Sequence, residues 1–306
     1  MSSRVRGKEN ARALAAEMRA KQAREARRRR ILLAVGAIGV VIVVVGGLVV
    51  TKLTSKDGGT TTAATPKAGS LSATVLKDVT SVSTATSDKV GAAEATTAPA
   101  RIDAPALTDG GKPTVLYIGA EYCPYCAAER WPMVVALSRF GTWTGLGGTE
   151  SSATDVFPST QTLSFHGAKF TSDYLTFAGY ETQGNRQVGG QYAPLDTLPS
   201  ADQKLFDTYN KPPYIQSSGG IPFIDIGGTY VSSGASFSPQ LLAGKSRAQI
   251  AAARADPSSD IAKAVISNAN VLTATICKAT ANKPANVCTS AGVQAGATVL
   301  TKSQKK

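Results

Sequence analysis

One stretch restricts the fold more than any other part of the 306-residue chain. It runs Pro113-Thr-Val-Leu-Tyr-Ile-Gly-Ala-Glu-Tyr-Cys-Pro-Tyr-Cys126 and continues through Ala127 to Leu137. Thr114 to Ile118 is a β-branched and aromatic run with Gly119 behind it, which predicts a buried strand ending in a turn. From Ala127 to Phe140 the spacing is helical, with Ala127, Trp131, Val134 and Val135 on one side. Pro124 suits the first helical position, where a missing N–H costs nothing, so Cys123 becomes the N-cap. Unpaired N–H groups and the positive end of the helix dipole then favour a thiolate at Cys123. Cys126 falls one turn inside, and the two-residue spacing brings both sulfurs within bonding reach.

A dithiol centre needs one ionisable, accessible thiol and a second that resolves the mixed disulfide. The sequence assigns the first role to an exposed Cys123 and the second to a partly buried Cys126. Pro124 and Tyr125 add no charge, so acidity at Cys123 must come from helix-end donors. Glu121 and Glu129 flank the motif as possible proton relays to Cys126 or, more simply, as exposed structural carboxylates; Arg130 either offsets them or is solvated. An inert disulfide and half a zinc site are the competing readings. Zinc needs two further ligands, and only His166, Cys277 and Cys288 are soft enough to offer themselves. No metal and no cofactor is expected. Cys277 and Cys288 read either as a staple of the C-terminal segment or as a second redox pair. His166, the single histidine, reads as a loop residue, and Trp131 and Trp143 read as packing residues, with Pro132 a helix kink.

Charge decides where this centre sits. The net charge is +12, but residues 1–30 carry eleven Lys/Arg against three Glu, leaving +4 for the rest. That cluster closes with Arg27-Arg28-Arg29-Arg30 and abuts twenty uncharged, almost wholly apolar residues, Ile31 to Val50. Twenty such residues are about enough to span a bilayer as a helix, and the flanking charge puts residues 1–30 in the cytoplasm. No small-x-small cleavage site follows, so an uncleaved anchor is expected rather than a signal peptide. The basic segment orients the anchor and rests on acidic lipid, and no nucleic-acid role is expected.

Further along, residues 51–70 read as a flexible linker, residues 71–293 as the extracytoplasmic domain and residues 294–306 as a polar tail. Leu71 to Val79 is expected as a first strand and Ser81 to Ala93 as a short helix. Thr160 to Phe165 and Tyr174 to Phe177 alternate enough for strands, and Gly184 to Thr197 reads as loop. Ser200-Ala-Asp-Gln203 is a capping-box pattern opening a helix to Tyr209. Phe223 to Val231 reads as a hairpin around Gly227-Gly228. Helix follows from Gln240, broken at Pro257 and restarted with Asp256 as its cap.

The run Tyr117 to Trp131, with Ala136-Leu-Ser-Arg-Phe-Gly141, Thr162-Leu-Ser-Phe165, Gly220-Ile-Pro-Phe-Ile-Asp225 and the Cys277/Cys288 pair, resembles a prokaryotic thioredoxin-like family catalogued as domain of unknown function 929. The resemblance covers roughly residues 71–290. It implies an α/β thioredoxin-like sandwich with an insertion at about 141–200, preceded by one transmembrane helix. Compared with thioredoxin itself, Tyr122 stands where a Trp is usual, and the Pro-Tyr dipeptide is similar to that of glutaredoxins. Such folds begin the strand facing the redox turn with a cis-proline, which the resemblance carries to Ile221-Pro222. The backbone there would hold a substrate chain in β fashion, with Tyr122 and Tyr125 beside it; an ordinary trans proline at an edge strand is the alternative. The expected function is a membrane-anchored thiol–disulfide oxidoreductase acting on exported proteins. Its redox partner would be a quinone-linked oxidase or an electron donor. A redox-inactive binding or assembly module of the envelope is the alternative.

Overall fold

The computed structural model describes residues 69–304. The basic segment, the expected span at 31–50 and nearly all of the linker lie outside the described residues. No helix among the described residues is long and apolar enough to cross a membrane.

The chain opens with two short helices, α1 (Ala73–Thr80) and α2 (Thr84–Val90), then strands β1 (Ala100–Arg101), β2 (Thr108–Asp109) and β3 (Lys112–Gly119). Helix α3 (Pro124–Leu137) follows, then β4 (Thr142–Thr144), β5 (Gly147–Glu150), β6 (Gln161–Ser164) and β7 (Lys169–Thr171). Next come β8 (Thr176–Glu181), β9 (Gln183–Val188), β10 (Gln191–Pro194), α4 (Ser200–Tyr209), β11 (Phe223–Ile226) and β12 (Tyr230–Ser233). A 3-10 turn at Pro239–Leu242 leads to α5 (Arg247–Ala253), α6 (Asp260–Ala279), α7 (Ala285–Cys288) and α8 (Ala291–Ser303).

These elements make a mixed α/β body. β11 pairs antiparallel with β3 and with β12, β1 adds beyond β12, and β8 runs parallel to β3 on its other side. Side chains alternate across a pleated strand, and here both faces are covered. Val115 and Tyr117 of β3, with Ile224 and Ile226 of β11, enter the main apolar core beside residues of α3 and α6. Leu116, Ile118 and Phe223 pack on the opposite side with Tyr209, Leu205 and Phe206 of α4. A strand buried on both faces reads as a continuous apolar run, which is why Thr114 to Ile118 shows no polar alternation.

Several expectations are corrected. The first strand expected at Leu71 to Val79 is helix α1: Ser72 caps it by accepting from Val75 N–H at 3.2 Å, and Val75 and Val79 are buried four residues apart. Most of the loop expected at 184–197 is the hairpin β9–β10, turned at Gly189 and Gly190 with φ of 62° and 84°, and only 195–197 lie outside it. The expected Gly227-Gly228 turn uses the same positive-φ geometry, at 66° and 70°. Helix α4 has Pro199 as its N-cap with no side-chain cap, so the capping box is absent. The cap of α6 is Ser259 rather than Asp256, whose carboxylate instead holds Ser258 N–H and Oγ–H. The expected polar tail from 294 is helix α8, with Val293, Gly296 and Leu300 buried against the body. A Cβ on Gly296 would stand 2.4 Å from the Asn270 carbonyl oxygen. Two of the four buried positions on this helix are glycines, which thins the apolar spacing of Val293 and Leu300 in the sequence. Ser70, the last residue of the expected linker, already bridges to Gly147.

Within residues 141–200, β8 joins the main sheet beside β3, while β4·β7, β5·β6 and β9·β10 form separate two-stranded pairs.

Candidate active site

β3 ends at Gly119 and α3 begins at Pro124, so the turn between them carries both cysteines. Cys123 is the N-cap of α3, in extended backbone conformation, and its Sγ accepts from the Cys126 N–H at 3.3 Å. Pro124 occupies the first helical position, as its missing N–H dictates. Both thiols are free. Opposite them, the Ile221-Pro222 peptide is cis, and Cys123 Sγ lies 3.8 Å from the Ile221 carbonyl oxygen as its donor. The Ile221 N–H has no acceptor among the described residues, while its neighbours Gly220 and Pro222 spend their carbonyls on Ser233 Oγ and Gly234 N–H.

Cys123 is not the exposed thiol expected: it is 6% accessible, and Cys126 is wholly buried. The connection between β5 and β6 and the β9–β10 hairpin crowd the turn. Ser152 N–H donates to the Tyr122 carbonyl at 2.8 Å, Tyr192 stacks on Tyr122 with ring centroids 4.1 Å apart, and Phe157 meets Tyr125 edge-on. Tyr125 itself remains 43% exposed.

The two thiols are driven apart in acidity. Hydrogen bonding from the Cys126 thiol, then from backbone N–H groups, with the charge of Arg130 nearby, lowers the Cys123 pKa against the opposing effect of burial. Burial first, and then the hydrogen bond it gives to Cys123, holds Cys126 well above its ordinary value. This is the division of labour that a nucleophile and a resolving thiol require.

The charge behind the sulfurs comes from residues the sequence did not bring together. Arg130 is fully buried rather than solvated. It donates from Nε and Nη2 to the two oxygens of Glu181, at 2.7 and 2.6 Å, and from Nη2 to the Ala120 carbonyl. Burial opposes its charge, but Glu181 outweighs that and keeps the guanidinium protonated. Tyr117 is buried too; its hydroxyl finds no nitrogen or oxygen partner and faces the Cys126 thiol, which with burial raises its pKa. Position 119 must be Gly, since a Cβ there would lie 2.3 Å from that hydroxyl. Arg130 stands four residues after Cys126, one helical turn deeper on the same face, a spacing that would have revealed it. Glu181, at the end of β8, has no local signal, and Tyr117 reads as core.

The two flanking glutamates serve elsewhere. Glu121 accepts from Ser164 Oγ at 2.6 Å. Glu129 is not exposed but 2% accessible, and its Oε2 accepts from Ser236 N–H and Oγ–H at 2.8 and 2.6 Å. Neither carboxylate hydrogen-bonds to a sulfur. Cys277 and Cys288 form a disulfide joining α6 to α7, with their Cα atoms 5.8 Å apart, so neither can complete a zinc set with Cys123 and Cys126. Among the described residues no group of three or more metal-binding side chains gathers. His166 is on the surface, paired to Asp196 at 2.6 Å.

A search of curated proteins and a search of solved structures each return no match. A family match covers residues 98–278, which takes in the Cys123–Cys126 turn, the cis-proline loop, Arg130, Glu181 and most of α6. The chain therefore belongs to the family described as Domain of unknown function (DUF929).

Proposed function

We propose that this protein is a thiol–disulfide oxidoreductase of thioredoxin-like fold, anchored by residues 31–50 with residues 71–293 outside the membrane, and that it exchanges disulfides with exported proteins. The observation that carries the reading is Cys123 as a helix N-cap, held by the Cys126 N–H and facing the cis Ile221-Pro222 peptide. The Cys123 thiolate attacks one sulfur of a substrate disulfide, and the other leaves as a thiolate that takes up a proton. Cys126, once deprotonated, attacks Cys123 Sγ and releases the second substrate thiolate. The pair ends oxidised and the substrate reduced by two electrons; the reverse sequence oxidises a substrate dithiol. Arg130 offsets the negative charge as it moves between the sulfurs, and the Tyr117 hydroxyl is the polar group facing Cys126. The free N–H of Ile221 and its carbonyl are placed to pair with an extended substrate segment, and Tyr125 offers an exposed ring beside it. A membrane oxidase linked to quinone, or an electron donor, returns the pair to its working state.

The 6% accessibility of Cys123 favours a second reading, an envelope binding or assembly module with an idle dithiol. Trapping separates the two. In the full-length chain, Cys126→Ala is expected to accumulate mixed disulfides with exported proteins, and Cys123→Ser to lose them. A folded Cys126→Ala protein that captures nothing would leave the binding module.

A further inference from the structure

A second site lies on the other flank of α3. A cavity of about 380 Å³ is bounded by α3, α6, the end of β12 and the segments at 97–100 and 214–217. Glu129 projects into its wall as a buried carboxylate. Both hydrogen bonds from Ser236 fall on Oε2, and Oε1 receives none among the described residues. Across the cavity Asn268, 2% accessible, donates to the Ala264 carbonyl while its Oδ1 is buried with no partner. Glu129 Oε1 is therefore an acceptor without a donor at the cavity wall, while Asn268 Oδ1 is sealed beneath the wall. Pro99, Tyr214, Val271 and Leu272 supply apolar wall.

What is missing is a counter-charge. Around the cavity, α6 presents Asn268, Val271 and Leu272, the end of β12 presents serines, and the 214–217 segment presents Tyr214 and Gln216; none carries charge at neutral pH. On α3 itself Arg130 is committed to Glu181 and Cys126 to Cys123. An uncompensated buried carboxylate is costly, and a cation that reaches it gains a charge-assisted hydrogen bond in a poorly screened place. We propose that this cavity binds a small organic cation, its ammonium group on Glu129 and its hydrocarbon body against Pro99, Tyr214, Val271 and Leu272. The site is separate from the dithiol, and its occupancy is independent of the redox reading.

Burial raises the Glu129 pKa to about 7, so the carboxylate is mostly neutral at pH 6 and mostly ionised at pH 8. An alkylammonium stays charged across that range, and its affinity follows the ionised fraction, which rises about tenfold between the two pH values. The test is calorimetric titration of the full-length protein with n-butylammonium chloride at pH 6 and pH 8, against n-butanol as a neutral probe of similar shape. The expected result is binding about tenfold tighter at pH 8, with n-butanol much weaker. Glu129→Gln should abolish the pH dependence. Ala98→Phe, which narrows the cavity without touching Glu129, should block binding and serves if the Gln variant does not fold. Absence of binding at both pH values, equal binding of n-butanol, or pH-independent binding to the unaltered protein would each overturn the proposal.

Discussion

The two cysteine pairs are both buried, yet their surroundings are opposites. Cys277 and Cys288 sit inside the main apolar core, bonded to each other, and tie the end of α6 to α7. Cys123 and Cys126 are as hidden from solvent, but lie outside the apolar clusters. They are surrounded by a helix N-terminus, a buried arginine–glutamate pair, a phenol facing the Cys126 thiol and the Ile221 carbonyl before the cis-proline. Burial alone does not mark a reactive thiol. What separates the pairs is whether polar groups are placed to stabilise a thiolate, and only one of them has such groups.

Removing charge from the first pair should have the largest effect. Arg130→Met leaves Glu181 buried without its partner, a loss of roughly 3–5 kcal/mol in unfolding free energy. In the fraction that stays folded, the Cys123 pKa should rise, read as thiolate absorbance near 240 nm against pH. Retained stability and an unmoved titration would mean that the ion pair does not act on the dithiol. The second pair should respond in the complementary way. Cys277→Ser with Cys288→Ser opens a short loop and should cost about 3 kcal/mol in denaturant unfolding, while the rate of exchange at Cys123 stays unchanged. A slowed exchange in a folded variant would show that the two pairs communicate.

A smaller effect sharpens the contrast between α3 and the stapled end of α6. Glu129 has a folded pKa raised from 4.5 to about 7 by burial, so folding favours its protonated form. Its contribution to stability is fully present below about 4.5 and is lost as pH rises to about 7, amounting to about 3 kcal/mol across that window. Asp225, raised to about 6 by burial, acts in the same direction. The share of Glu129 is therefore read as the difference between the unaltered protein and Glu129→Gln in denaturant melts from pH 4.5 to 8. Parallel pH curves would contradict it.

The legible parts of the chain were those where local chemistry dictates geometry. The strand Thr114 to Ile118, Pro124 at the first helical position, Cys123 as the cap and the Gly227-Gly228 hairpin follow from backbone constraints that act within a few residues. The misread parts depend on distant partners. The apparent tail is helix α8 because Gly292 and Gly296 let it close on α2 and α6, and these glycines add nothing to the thin apolar spacing of Val293 and Leu300. Glu129 looked like a solvated carboxylate until β12 and Ser236 folded over it. The ion pair behind the sulfurs spans 51 residues of chain, which no local pattern encodes. The candidate nucleophile was therefore visible in the sequence, while the groups that tune it were not.

The most direct test of the central claim is the equilibrium reduction potential of the Cys123–Cys126 pair in the full-length protein, measured in glutathione redox buffers by differential alkylation. The Cys277–Cys288 bridge serves as the internal reference. Stabilisation of the Cys123 thiolate predicts a value in the exchange-active range, between about −270 and −120 mV, with Cys277–Cys288 still oxidised where Cys123–Cys126 is fully reduced. A Cys123–Cys126 bridge that resists reduction below about −300 mV, as a structural disulfide does, would contradict the account.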